Sequence, residues 1–237
     1  FVETCPKLGR SDTTPAGSLV TDSAAGMTAI VTGHKTHNGV ISMDASTVKG
    51  KSDGVVLKTL LEYAEEHGLS TGVVSNVSIA DATPAACYGH ANDRGMQAEL
   101  YQQIFKPRFG DGVDVVLGGE RNKIYGDTKK LGVNLDAEAK ANKRTIYSSV
   151  AEIPASDMRP LALPEDSEDV PAMAHAALDR LSKNRKGYFL MIEWDAHTNN
   201  PERGLGNVVK FDKLIREIAS KVDLRDTLLL FTADHSF

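Results

Sequence analysis

The stretch TGVVSNVSI at residues 71–79 is short, rich in β-branched residues and free of charge. Such a run is typical of a strand that is buried on both faces of a sheet. Three further runs, all later in the chain, have a similar apolar character: VDVVLGG at 113–119, GYFLMIEW at 187–194 and TLLLFTAD at 227–234. The sequence therefore predicts at least four buried strands.

Amphipathic segments alternate with these strands and predict helices over 23–33, 53–68, 96–106, 168–184 and 207–222. This alternation favours an α/β fold with a mostly parallel central sheet flanked by helices on both faces. We expect one α/β domain over residues 1–237. Residues 148–171 carry four prolines and predict a long surface connection rather than a domain boundary.

Composition excludes several classes of function. The chain has 237 residues, 41% of them hydrophobic, and a formal net charge of −5 without long blocks of either sign. This balance does not indicate a nucleic-acid groove or a membrane-surface patch. No apolar run reaches the length of a membrane span, and the first residues do not resemble a signal peptide. Cys5 and Cys87 leave both a disulfide and two buried thiols open.

Metal-type ligands follow the predicted strands, at the sheet edge where α/β proteins bind ligands. Asp234 and His235 end the last apolar run, and burial of either without a partner is costly. In an extended segment, Glu193, Asp195 and His197 point to one side, a suitable set for Zn²⁺ or a Zn²⁺/Mg²⁺ pair. The alternatives are a loop start at His235 and a helix start that favours acidic residues near 193.

Two helix starts carry further candidates. Asp81 and Thr83 offer oxygen ligands for a cation such as Mg²⁺, although Thr83 before Pro84 also predicts an ordinary helix cap. Arg94 is either a surface residue or a bidentate phosphate clamp. Ser23 is predicted to cap a helix, a position that also attracts phosphate, and a zinc ion beside its hydroxyl would make it a nucleophile.

Together these segments resemble the alkaline phosphatase family. The stretch VTDSAAGMTAIVTGHKTHNGVISMD at 20–44 is similar to the family's nucleophile segment T-D-S-A-x-x-x-T-A-x-x-T-G-x-K-T-x-N-G-x-x-x-x-D. The stretch DATPAA at 81–86, with Arg94 thirteen residues after Asp81, resembles its magnesium- and phosphate-binding segment. TADH at 232–235 resembles its zinc segment.

The resemblance implies a fold, an activity and roles for single residues. The fold would be the family's three-layer sandwich, and the activity hydrolysis of phosphate monoesters with release of inorganic phosphate. Ser23 would form a phosphoserine, Arg94 would bind two phosphate oxygens, and Asp22 would orient Arg94. The implied ligands are Asp234 and His235 for the zinc that activates Ser23, Asp195 and His197 for a second zinc, and Asp81, Thr83 and Glu193 for one magnesium.

The segment E-W-D-A-H at 193–197 is shorter than in better-known members of the family. We prefer the register that gives Glu193 to magnesium and both Asp195 and His197 to zinc. In the alternative register, Glu193 and His197 form the zinc pair, and Tyr188 falls where the family has the magnesium glutamate.

The resemblance also implies features that have no counterpart in these residues. The family has an early strand ending in an aspartate that bridges zinc and magnesium, and a third zinc histidine after TADH. We therefore expect this chain to be incomplete at both ends and, taken alone, to bind metal poorly. The resemblance further implies a homodimer and a periplasmic or extracellular location. A sulfatase, phosphodiesterase or phosphomutase of the same architecture, or a non-catalytic protein that binds metal or phosphate, stays open.

Overall fold

The computed structural model describes residues 1–165 and 169–235. These residues form two compact units. The larger unit contains Thr13–Glu193 together with Asp234 and His235, and the smaller contains Phe1–Asp12 and Trp194–Ala233. The single domain that we expect from the sequence stays a prediction.

A parallel five-stranded sheet forms the centre of the larger unit, with the strand order β3-β4-β2-β1-β5. Its strands are β1 (Ser70–Ser78), β2 (Val115–Gly119), β3 (Ile146–Tyr147), β4 (Leu161–Ala162) and β5 (Tyr188–Glu193). Three of the four predicted strands are therefore present within two residues of their expected bounds. The register places Gly72 beside Val115 on one side and beside Leu190 on the other.

Helices cover both faces of the sheet, as predicted. The larger unit contains α1 (Ser23–Thr32), α2 (Leu60–Glu66), α3 (Ala82–Tyr88), α4 (Gln97–Gln102), α5 (Arg121–Lys130), α6 (Leu135–Ala141) and α7 (Val170–Leu181). A side chain at Gly72 would meet Leu181 of α7, so α7 packs against the face of the sheet toward which residue 72 points. Val73 points to the opposite face and belongs to a core cluster with residues of α1, α2 and α3.

The predicted strand at 227–234 is wrong. Residues 227–233 have no regular structure, and the side chains of Leu228 and Leu230 are 81% and 76% exposed. Four consecutive apolar residues have the composition of a buried strand, but a strand also needs a neighbour that bonds its N–H and C=O groups. These residues belong to the smaller unit, where no strand pairing is described.

The segment 148–171 is only partly on the surface, because it contains the short strand β4. Leu161, Ala162 and Leu163 are fully buried. The guanidinium of buried Arg144 donates to the Pro160 carbonyl at 3.2 Å, and to the carbonyl of Asp114, next to β2, at 2.7 Å. Arg144 thereby joins the starts of β2 and β4, a tertiary contact that a count of prolines does not reveal.

Helix α2 is much shorter than the predicted helix at 53–68, because a capping box fixes its first turn. The Thr59 hydroxyl accepts from the Glu62 N–H at 3.2 Å, and the Glu62 carboxylate accepts from the Thr59 N–H at 2.9 Å. This reciprocal pair is a strong helix-start signal. The sequence T-L-L-E at 59–62 contains this helix-start signal, but a prediction from the pattern of apolar residues alone does not take it into account.

Buried Glu65 connects α2 with the beginning of the sheet. Its carboxylate accepts from the Thr71 hydroxyl at 3.1 Å and from the Gly112 N–H at 3.0 Å. Burial raises the pKa of Glu65 from 4.5 to about 7; these two hydrogen bonds oppose the rise, and the charges of Asp111 and Asp114 add to it. Glu65 is therefore protonated in the folded protein at a pH where the unfolded chain is ionised.

We predict a pH-dependent loss of stability at this residue. As pH rises from about 4.5 to about 7, the unfolded chain releases a proton that folded Glu65 keeps, so the free energy of unfolding falls by about 3 kcal/mol. Urea unfolding at pH 5 and pH 8 should show this fall in the wild type but not in Glu65→Gln. The neighbouring exposed residue supplies the control Glu66→Gln, which should behave like the wild type. Parallel pH profiles for Glu65→Gln and wild type would contradict the prediction.

The smaller unit contains α8 (Pro201–Lys221) and a short 3-10 helix at Val2–Thr4. Helix α8 starts earlier than predicted, because Asn200 caps it by accepting from the Arg203 N–H at 3.0 Å. The backbone N–H of Val2 donates to the Asp212 carboxylate of α8 at 2.8 Å.

Cys5 is exposed and Cys87 is buried, and both are free thiols. The structure therefore contains neither the disulfide nor the two buried thiols that the sequence left open. Within residues 1–165 and 169–235, every helix is either too short or too polar to span a bilayer.

Candidate active site

Ser23 lies in the first turn of α1, but Asp22 is the residue that caps the helix. The Asp22 carboxylate accepts from the Ala25 N–H at 3.0 Å, and α1 begins at Ser23 itself. The prediction that Ser23 caps the helix is therefore wrong by one residue. Because its neighbour performs the capping, the Ser23 hydroxyl is left at the positive end of the helix without a capping role.

His235 and Asp234 approach the Ser23 hydroxyl. The distance from Ser23 Oγ to His235 Nε2 is 3.4 Å, and His235 Nε2 lies 3.5 Å from Asp234 Oδ2. The His235 side chain is 8% exposed and that of Asp234 is 31% exposed. The structure thus brings Ser23 next to two residues that lie more than 200 positions later in the sequence.

Gly26 allows this close approach. A Cβ atom built on Gly26 would lie 2.4 Å from the carbonyl oxygen of Asp234 and 3.5 Å from the Cβ of His235. The first distance is far inside van der Waals contact, and the obstructing atom belongs to the backbone. A residue without a side chain is therefore needed on this face of α1 for residues 234 and 235 to reach Ser23.

Arg94 joins two of the predicted carboxylates. Its guanidinium donates to Asp22 Oδ2 at 3.3 Å through one nitrogen and to Asp81 Oδ1 at 3.2 Å through the other. Burial lowers the pKa of Arg94, but the Asp81 charge and the hydrogen bonds from Arg94 to Asp81 and Asp22 outweigh it and leave the pKa above its usual value. Arg94 therefore remains a cation at alkaline pH, beside the residue that precedes Ser23.

The cap predicted at Thr83 is also displaced. Helix α3 begins at Ala82, so Asp81 occupies the cap position and Thr83 is a nearly buried residue of the first turn. The Asp81 carboxylate makes no capping hydrogen bond. It bonds instead to Arg94 and, at 3.4 Å, to the side-chain amide of Gln97, a residue that the sequence analysis did not single out.

The remaining predicted ligands lie at or beyond the end of β5. The Glu193 carboxylate accepts from the Ser75 hydroxyl at 2.5 Å, across the β1–β5 pair. Asp195 and His197 belong to the smaller unit, where Asp195 Oδ1 accepts from the backbone N–H of His197 at 2.8 Å and lies 2.7 Å from its Nδ1. Within the described part of the chain, no group of three or more His, Cys, Asp or Glu side chains is arranged to hold a metal ion.

The alkaline phosphatase family model matches residues 1–151 and 155–237. The chain belongs to the alkaline phosphatase family. The match covers both units, and it confirms the resemblance seen in the segments around Ser23, Asp81 and Asp234.

Individual alkaline phosphatases agree with this assignment. Alkaline phosphatase 4 of Bacillus subtilis is 32% identical over 92% of this chain and 49% of its own length. The alkaline phosphatase of Escherichia coli is 29% identical over 97% of this chain and 59% of its own length. The chain thus spans about half the length of these curated relatives.

Solved structures of alkaline phosphatases share the fold. The enzyme from the Antarctic bacterium TAB5 superimposes with a TM-score of 0.72 at 26% identity, over 89% of this chain and 64% of that one. A mutant of the TAB5 enzyme, with a TM-score of 0.73 at 27% identity over 89% of this chain and 62% of that one, has magnesium bound. The Thermus thermophilus alkaline phosphatase gives 0.76 at 25% identity, over 91% of this chain and 47% of that one.

Proposed function

We propose that the full-length protein hydrolyses phosphate monoesters through a phosphoserine at Ser23 and releases inorganic phosphate. The observation that carries this proposal is the position of the Ser23 hydroxyl, at the start of α1 and 3.4 Å from His235 Nε2. The Arg94 guanidinium donates to Asp22 and to Asp81. It supplies the cation that a phosphoryl group needs nearby. Membership of the alkaline phosphatase family supports the same reaction class.

The donors around Ser23 fit a zinc ion. Zinc bonds of about 2.0–2.2 Å in a tetrahedron set neighbouring donor atoms about 3.3–3.6 Å apart. His235 Nε2 lies 3.4 Å from Ser23 Oγ and 3.5 Å from Asp234 Oδ2, both within that range and both long for hydrogen bonds. One imidazole, one carboxylate and one hydroxyl are also suitable donors for zinc. We therefore infer that Asp234, His235 and Ser23 would hold it.

The residues around Ser23 have separate roles in the proposed reaction. When bound, zinc would lower the pKa of the Ser23 hydroxyl and offset negative charge on the phosphoryl group. The N–H groups at the start of α1 favour an anion in front of Ser23. The Arg94 fork binds phosphoryl oxygens, and Asp22 orients that fork. Binding and orientation by these residues place the Ser23 oxygen for attack on phosphorus.

A second zinc at Asp195 and His197, and a magnesium at Asp81, Thr83 and Glu193, also form part of the proposal. Carboxylate and hydroxyl oxygens suit magnesium, and an imidazole with a carboxylate suits zinc. Asp81 is bonded to Arg94, Glu193 to Ser75, and Asp195 to His197. Among the described residues, no group of three or more His, Cys, Asp or Glu side chains is gathered to hold a metal ion, and the steps described above involve neither of these two ions.

The zinc proposal predicts that Gly26→Ala weakens metal binding. The new Cβ would lie 2.4 Å from the Asp234 carbonyl and would push Asp234 and His235 away from Ser23. Changes that misplace metal ligands in this way typically cost about 10–100-fold in affinity, and we expect a loss in that range from competition with a chromophoric chelator. Gly126→Ala is the matched control, since that helical glycine has open space at its Cβ. Equal zinc affinity in Gly26→Ala and Gly126→Ala would contradict the prediction.

Comparison of three substrates tests the proposed activity. The full-length protein, supplied with zinc and magnesium, should hydrolyse an aryl phosphate far faster than a bis-aryl phosphate or an aryl sulfate. A chelator should abolish that hydrolysis, and added zinc should restore it. Preference for the diester or the sulfate would assign the protein to another reaction of this architecture.

A non-catalytic role is the second candidate, because the described residues contain no group of three or more His, Cys, Asp or Glu side chains that could hold a metal ion. In that case the protein would bind metal or phosphate without turnover of any of the three substrates. The same assay, combined with metal analysis, separates the two functions.

The family resemblance supports three further proposals about the full-length protein: a homodimer, a periplasmic or extracellular location, and a single α/β domain. Sedimentation of the purified protein and fractionation of the producing cells test the first two. Limited proteolysis tests the third, since a single domain should resist cleavage near Asp12 and Trp194, where the chain passes from one unit to the other.

A further inference from the structure

The side chain of Asn38 fixes the segment that leads into Ser23. Its Oδ1 accepts from the Asp22 N–H at 3.1 Å, and its Nδ2 donates to the Val20 carbonyl at 2.9 Å. These two backbone groups flank the buried residue Thr21. One side-chain amide therefore bonds to two backbone polar groups of the turn immediately before the helix.

The same turn also reaches Arg94. The carbonyl of Gly39 accepts from the Arg94 N–H at 2.7 Å, and Gly39 has a φ of +81°, which favours glycine. Two residues later, Ile41 and Ala91 exchange backbone hydrogen bonds of 2.9 and 3.1 Å. Residues 38–41 thus bind to the Ser23 segment on one side and to the Arg94 segment on the other.

A closed series of hydrogen bonds results. It runs from the Asp22 N–H to the Asn38 amide, through Gly39 to the Arg94 N–H, and from the Arg94 guanidinium back to Asp22 Oδ2 at 3.3 Å. Shifts of the Ser23 segment relative to Arg94 would break at least one of these bonds. The series therefore sets the distance between the serine and the guanidinium.

An amide is the side chain that this position needs. The Asp22 N–H requires an acceptor and the Val20 carbonyl requires a donor, which also fixes the orientation of the Asn38 amide. A carboxylate of the same shape would accept from Asp22 but would place a negative oxygen against the Val20 carbonyl. The Val20 carbonyl would keep only the Ser18 hydroxyl, which donates to it at 3.2 Å, and repulsion between the two oxygens would move the segment.

We propose that Asn38 is a positioning residue for the proposed phosphoryl transfer, holding the Ser23 segment in register with Arg94. This inference rests on the proposed function. Asn38 acts through Asp22, Val20 and Gly39 and does not itself touch the phosphoryl group.

The test is Asn38→Asp in the full-length natural protein. Because small displacements of reacting groups cost about 100-fold in rate, we expect kcat for an aryl phosphate to fall by about that factor while KM changes much less. Hydrogen exchange measured by mass spectrometry should become faster in peptides that cover residues 20–25. If Asn38 contributed only to overall stability, kcat, KM and the hydrogen exchange of residues 20–25 would all stay unchanged at temperatures well below unfolding.

Asn184→Asp is the matched control. The Asn184 amide also donates to a carbonyl, that of Gly68 at 3.0 Å, and accepts from a backbone N–H, that of Lys186 at 3.0 Å, at the beginning of β1. This variant should keep wild-type kcat. Wild-type kcat in Asn38→Asp, or unchanged exchange over residues 20–25, would overturn the proposal. If the wild-type protein hydrolyses no phosphate ester, the proposed function fails, and the exchange data alone decide whether Asn38 fixes the segment.

Discussion

Replacement of Ser23 with alanine in the full-length protein is expected to lower the turnover of an aryl phosphate by at least about 1000-fold, because removal of a nucleophile eliminates the covalent route. The fold should be unaffected. Asp22 rather than Ser23 caps α1, so the variant keeps the hydrogen bond to Ala25 and the bond to Arg94. The measurement is the steady-state rate, together with thermal unfolding of the same preparation.

A serine outside the site provides the control for this variant. The Ser220 hydroxyl bonds to the Glu217 carbonyl on the exposed surface of α8, and Ser220→Ala should retain full activity. Incubation of the wild type with a labelled phosphate ester at low pH, followed by rapid denaturation, should leave label on Ser23. Wild-type turnover in Ser23→Ala would refute the nucleophile assignment.

Substitution of Arg94 by alanine should mainly weaken the binding of phosphate. A bidentate guanidinium contributes two charge-assisted hydrogen bonds of roughly 1.5–3 kcal/mol each, so inhibition by inorganic phosphate should weaken by at least about 100-fold. KM should rise along with it. Loss of Arg94 also leaves the Asp22 and Asp81 carboxylates without their shared cation, which adds repulsion to an incoming anion.

Arg94→Lys separates charge from geometry. Lysine keeps the positive charge but cannot form the planar fork, so phosphate inhibition should lie between the wild type and Arg94→Ala. The constant for phosphate inhibition, measured from the dependence of initial rates on added phosphate, checks both variants. If Arg94→Ala and the wild type are inhibited equally by phosphate, Arg94 is not the clamp.

Much of the larger unit could be predicted from local patterns. Strands β1, β2 and β5 have continuous apolar runs, and α1 and α7 have clear helical patterns, so sequence and structure agree there within a few residues. The proximity of Asp22, Asp81 and Arg94 also followed from the resemblance of their segments to one family. Where segments carry strong family motifs, the sequence therefore predicts which side chains come together as well as the local structure.

The failures have physical reasons. Ser23 and Thr83 were each predicted as helix caps, but the acid one or two residues earlier takes the cap position in both helices. Helices α5 and α6 were not predicted, because α5 is mostly polar and carries a glycine, and α6 is only seven residues long. The role of Asn38 depends on contacts with residues 16 and 18 positions away. In the sequence, the N-G pair at 38–39 predicts only a turn and gives no sign of these contacts.

Anomalous scattering at the zinc edge, from crystals of the full-length protein, tests the central claim most directly. We expect one zinc peak about 2.0–2.2 Å from His235 Nε2 and from an Asp234 oxygen, next to the Ser23 hydroxyl. Zinc peaks found only at other residues, with none beside Ser23, would contradict the account.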